Sequence, residues 1–132
     1  MISLKHVALV FLGLFFLAQI VCAEPVPPAI QKAIKPLAIQ SVDLSSGVLR
    51  VVMSRPLVTL DMYHAVAIVG GCYSLFGNPK AWGNAKINRI EVLNDIAAQG
   101  YALDDASHSC KALGSLTQEQ ERKYIADHTL AK

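Results

Sequence analysis

Residues 59–77 read TLDMYHAVAIVGGCYSLFG, and the fold turns on whether they make one long helix or a strand, a turn and a strand. Thr59 is a helix N-cap residue, Asp61 puts an anion in the first turn where the helix dipole favours it, and Val58 and Tyr63 stand where a hydrophobic staple would form. Gly77 has the chemistry of a left-handed C-terminal stop. Against this, Gly70 and Gly71 each cost about 1 kcal/mol inside a helix and together suit a hairpin turn. The agreement of signals at both ends favours a helix to Phe76, in which the glycines let the backbone lie close to a strand. Asp61, His64 and Ser74 are its only clearly polar side chains, so it is expected to be buried around most of its circumference, against a sheet.

Before this helix, residues 37–44 and 48–54 are two apolar runs rich in β-branched residues, separated by Ser45, Ser46 and Gly47, which reads as a hairpin with a three-residue turn. In the second run Leu49, Val51 and Met53 share the better core-facing side. After the helix, a loop carries Trp82, the only tryptophan. Residues 87–94 and 100–103 then read as an antiparallel pair, with Ile90 and Val92 on one face and Arg89, Glu91 and Leu93 on the other. Asp104 or Asp105 starts a short helix that Gly114 ends. Thr117 with Gln120 is a capping-box pattern, opening a mostly polar helix that runs to about Thr129. These elements predict an α+β two-layer sandwich: a four-stranded ββαββ sheet with one long buried helix crossing from the second strand to the third, and short helices at the C-terminus. The outermost strands are expected to be the first and the fourth.

The chain has 132 residues and a formal charge of +2. Its first 23 residues read as a secretory signal: Lys5, an apolar run over 7–20, and the small or modest side chains Val21, Cys22 and Ala23 before the cut. The run reaches only about 21 Å as a helix, short of the roughly 30 Å hydrocarbon core, so no stable membrane anchor is expected once the signal is removed. Residues 24–36 form a proline-rich N-terminal segment with a short helix, and 37–132 a single domain. Without Lys5 the charge is near +1, too weak a field to argue for nucleic acid. Of three cysteines, Cys22 leaves with the signal, and Cys72 and Cys110 read as one disulfide in a periplasmic or secreted protein.

The chemistry is thinner. His64, Cys72, His108 and Cys110 are metal-ligand types. On one straight helix, however, His64 and Cys72 lie about 12 Å apart along the axis, too far for one zinc ion, so no metal or other cofactor is expected. His64 with Asp61 one turn earlier suits a general base, but a satisfied helix histidine explains it as well, and no nucleophile motif accompanies it; an enzyme is the weaker reading and no catalytic residue is assigned. Binding is what remains. Arg50, Arg89, Glu91 and Leu93 make a mixed patch on the second sheet face, suited to a protein partner outside the cytoplasm, as for an inhibitor, an immunity factor or an assembly accessory. Trp82 reads first as a buried lid over the core; with Tyr73 beside the long helix it also suits stacking on a small molecule or cell-wall fragment, and a small hydrolase using His64 is a further alternative.

Overall fold

The computed structural model describes residues 23–132. The secretory-signal reading of the N-terminus lies outside the described residues, apart from Ala23. The first helix, α1 (Pro28–Ile34), starts behind Pro27, where the missing amide hydrogens cost nothing, and buries Ile30 and Ile34 four residues apart on one face. Pro36 follows it. Strands β1 (Ile39–Ser45) and β2 (Val48–Met53) make the expected hairpin, but with a tighter turn. Ser45 pairs with Val48, leaving only Ser46 and Gly47 in the loop. Both have positive φ, 51° and 78°. That is the two-residue turn whose twist matches the strands, and it replaces the expected three-residue connection.

The decisive stretch is one helix, α2, spanning residues 60–77, with Thr59 Oγ1 accepting from the Met62 amide as its cap. It is not uniform. Leu60–Tyr63 and Ser74–Gly77 are α-helical, whereas His64–Cys72 winds as a wider π-helix, the Tyr73 amide donating to the Ile68 carbonyl five residues back. Gly70 and Gly71 fall in this wide stretch, where a Cβ on Gly71 would lie 2.9 Å from Ile90 of the sheet and one on Gly70 would lie 2.6 Å from Ile34 of α1. The close approach that the glycine pair implied is therefore made on two sides. Gly77, by contrast, does not enter the left-handed region; the helix ends when Asn78 becomes extended at φ −149°.

Strands β3 (Arg89–Leu93) and β4 (Gly100–Asp104) pair antiparallel through the 94–99 turn, and β3 lies parallel to β2 because α2 carries the chain back between them. Helix α3 (Ala106–Leu113) follows. Asp105 precedes it in a left-handed conformation, φ 47°, without a side-chain cap bond. Helix α4 (Gln118–His128) has the full capping box, Thr117 Oγ1 accepting from the Gln120 amide while Gln120 Oε1 accepts from the Thr117 amide. The chain then forms a short strand, β5 (Thr129–Ala131), antiparallel to β4.

The sheet is thus five-stranded and mixed, in the order β1-β2-β3-β4-β5, rather than four-stranded. Its outer strands are β1 and β5; β4, expected at an edge, is covered. The helices pack on the face that carries Leu49, Val51, Ile90, Val92 and Leu103, and the core also holds Ile30 and Ile34, so residues 24–36 belong to the same packed body. Cys72 of α2 and Cys110 of α3 form the expected disulfide, both fully buried, with their Cα atoms 4.8 Å apart.

Candidate functional site

On the helical side, α2 and α4 do not close against each other. Between them lies a half-open groove of about 650 Å³, within the size range of small-molecule sites. Its apolar lining comes from Tyr63 on α2, Tyr101 on β4 and Ile125 on α4. The α2 wall adds Asp61, His64 and Tyr73, and the α4 wall adds Gln118, Glu121 and Arg122. β5 closes one end with Thr129 and Ala131. The positions 118, 121, 122, 125, 126 and 129 form one helical stripe, so a single face of α4 builds one whole side.

Three phenols set the rigid frame. Tyr63 is 1% exposed, and its hydroxyl lies 2.9 Å from Thr129 Oγ1. That threonine hydroxyl spends its own hydrogen on the Ile125 carbonyl at 2.6 Å, so Tyr63 is the donor to Thr129. Burial pushes the Tyr63 phenol up to about 12. Across the groove mouth, the Tyr73 hydroxyl donates to Glu121 Oε1 at 2.5 Å, a charge-assisted bond that joins the two helices. The bond to Glu121, with burial and the carboxylate's charge behind it, raises Tyr73 to about 12 as well. The Tyr101 ring leans on Tyr63 with centroids 5.5 Å apart. Tyr124 anchors the back of α4, its hydroxyl reaching Ser109 Oγ of α3 at 3.5 Å.

The charged groups of the walls are differently placed. Among the described residues, the side chains of Asp61, His64 and Arg122 have neither an ion-pair partner nor a hydrogen bond, and Asp61 and Arg122 are exposed on opposite walls. Asp61 does not orient the imidazole of His64 through a hydrogen bond, although both face the same space. No family model, curated protein or solved structure matches the chain. The groove must therefore be read from its own residues.

The other residues singled out from sequence lie elsewhere. Tyr73 lines the groove, but Trp82 does not: it is 7% exposed, part of the core, and its Nε1 donates to the Gly71 carbonyl at 3.0 Å. On the second sheet face, Arg50, Glu91 and Ala102 are direct neighbours across β2, β3 and β4. Glu91 is 5% exposed and held between Arg50 Nε at 3.4 Å and Lys132 Nζ at 3.6 Å. Arg89 pairs with Asp104 at 3.3 Å, and Leu93 is buried, so of these four only Arg50 presents an open side chain. His108 is exposed on α3, and the thiols of Cys72 and Cys110 are taken by their mutual bond. Among the described residues no three His, Cys, Asp or Glu side chains gather closely enough to hold a metal ion, and no helix is long and apolar enough to cross a membrane.

Glu121, Arg122 and Ile125 were not singled out from sequence. Their signal is the helical stripe they share with Gln118 and Thr129, which reads as a surface stripe until a second wall is known to face it.

Proposed function

We propose that this chain is a non-catalytic binding protein of an oxidising compartment outside the cytoplasm, and that it seats a small amphipathic ligand in the groove between α2 and α4. The observation that carries this reading is the combination in one concavity of an apolar lining with two charged side chains, Asp61 and Arg122, that have no ion-pair partner among the described residues. Such a site offers apolar area for affinity and a few convergent polar groups for orientation. The buried disulfide supports the compartment.

The test is a backbone amide NMR titration with small amphipathic compounds. Shifts confined to residues 60–64 and 118–126 are expected, and Ala126→Trp, which fills the mouth from an exposed position, should remove them. Shifts that survive this substitution would reject the groove. The second reading, a protein partner on the other sheet face, is favoured by Arg50, whose side chain is half exposed although its Nε pairs with Glu91. Under it, Arg50→Glu abolishes co-purification of an exported partner while Ala126→Trp leaves it intact.

A further inference from the structure

The groove's charges are arranged in opposition. Asp61 stands on the first turn of α2, and Arg122 stands on the facing side of α4. Both are exposed, and no ion pair within 4.0 Å joins them to each other or to any described residue. Elsewhere among the described residues Arg50 and Lys132 flank Glu91, Arg89 meets Asp104 and Lys123 meets Asp127 at 2.9 Å, while exposed charges such as Lys80, Lys86 and Lys111 also stand unpaired; what sets Asp61 and Arg122 apart is that both line one groove. Glu121, the other carboxylate in the groove, is already engaged by Tyr73. One anion and one cation are thus left open on opposite walls of a groove that Tyr101 and Ile125 also line.

Resting on the reading of the groove as a binding site, we propose that its ligand is a zwitterion of dipeptide size with apolar side chains, its ammonium directed to Asp61, its carboxylate to Arg122, and its apolar body laid on Tyr101 and Ile125. Each charge is chemically suited to its task. A guanidinium holds a carboxylate through two parallel N–H bonds, and an ammonium has three donors to offer a carboxylate. A ligand with one charge leaves the opposite wall unmatched. A fully apolar ligand forfeits both, whereas a large acidic or basic polymer meets a like charge on one side. The volume of about 650 Å³ leaves space for two side chains. His64 sits on the Asp61 side and, when neutral, accepts a further ammonium hydrogen.

The experiment uses four forms of one dipeptide, leucyl-phenylalanine: free, N-acetylated, C-terminally amidated, and both acetylated and amidated. Affinity for the full, oxidised protein is measured by calorimetry, with amide NMR shifts locating each compound. The free dipeptide is expected to bind at least 10-fold more tightly than either singly blocked form, and the doubly blocked form least of all. Asp61→Asn should weaken the free and amidated forms about 10-fold and leave the acetylated form unchanged. Arg122→Gln should weaken the free and acetylated forms and leave the amidated form unchanged. Both substitutions are at exposed positions, and an unchanged melting temperature verifies the fold. Equal affinity of all four forms, with shifts in the groove, overturns the zwitterion assignment while keeping the groove as a site. Tighter binding of one singly blocked form than of the free dipeptide overturns it in favour of a singly charged ligand. If none of the four moves the groove amides, the zwitterion assignment falls. The broader titration then decides separately whether the groove binds any amphipath at all.

Discussion

Three glycines separate the ways in which a missing side chain matters. A Cβ on Gly70 meets Ile34 Cγ2 at 2.6 Å, an atom fixed to its own Cβ in a buried helix, whereas a Cβ on Gly71 meets Ile90 Cδ1, the far end of a flexible chain, at 2.9 Å. Alanine gains about 1 kcal/mol over glycine in a helix interior. For Gly71→Ala that gain offsets the small displacement of Ile90, so urea unfolding should give a change within about 0.5 kcal/mol. For Gly70→Ala the overpacking is larger, and a net loss of about 1–2 kcal/mol is expected. At Gly100 the new atom falls on the Val92 carbonyl oxygen of the adjoining strand. Backbone cannot give way there, so Gly100→Ala should cost more than 3 kcal/mol or prevent folding. The expected approach of the 70–71 pair to a strand holds for Gly71, beside Ile90, whereas Gly70 faces Ile34 of α1. The sequence holds no such hint for Gly100, which looks like an ordinary turn residue until the β3–β4 register is known.

The phenols make a pH prediction at the same scale. Tyr63 and Tyr73 ionise near 12 in the folded protein, against 10.0 for a free tyrosine. Between these values the unfolded chain loses its protons first, so the folded state binds more protons and stability falls as pH rises from 10 towards 12; below pH 10 neither group contributes a pH dependence. Urea midpoints at pH 8 and pH 11 should differ less in Tyr63→Phe and in Tyr73→Phe than in the parent. An unchanged difference in both variants would show that other groups control alkaline unfolding.

At the scale of elements, α2 and the C-terminal unit differ in how much of them the sequence discloses. The Thr59 cap and the Thr117–Gln120 box were legible because capping is local: the first four amides of a helix need an acceptor, and few side chains reach them. The π-helical middle of α2 was not, since the same apolar run serves either winding. Strand β5 was hidden for a related reason. Thr129, Leu130 and Ala131 carry too little pattern to announce three strand residues, and the pairing with Tyr101, Ala102 and Leu103 alone defines them. Helix α4 has no fully buried residue. It depends on its cap and on its bonds through Tyr73, Tyr63 and Tyr124. Thr117→Ala should therefore cost about 1 kcal/mol, and hydrogen exchange should place the loss in residues 118–128 rather than in β2 or β3. Uniform loss across the sheet would mean that α4 and the core unfold as one unit.

At the scale of the whole molecule, the sheet and the groove are tied together through one covalent link. The β2–α2–β3 crossover sets the central parallel pair, and α3 leaves β4 to pack beside α2, so Cys72 and Cys110 join the crossover to the second half of the chain across 38 residues of sequence. The pairing was legible because the expected loss of Cys22 with a leader would leave two thiols; the groove was not, since it needs the relative placement of α2 and α4, which no local pattern encodes. Closing a loop of that length in the unfolded chain is worth about 4 kcal/mol in the loop-entropy model, a large fraction of the 5–15 kcal/mol typical of a domain. The Cys72→Ala, Cys110→Ala double variant also leaves a small unfilled volume in the core, so its loss should be at least that large, read as a lowered urea midpoint. Both cysteines are fully buried, and the groove lining does not include them. The variant, while still folded, should accordingly keep its groove amide pattern. A change in that pattern at residues 60–64 without unfolding would instead assign the disulfide a role in setting the wide winding of α2, and through it the width of the groove.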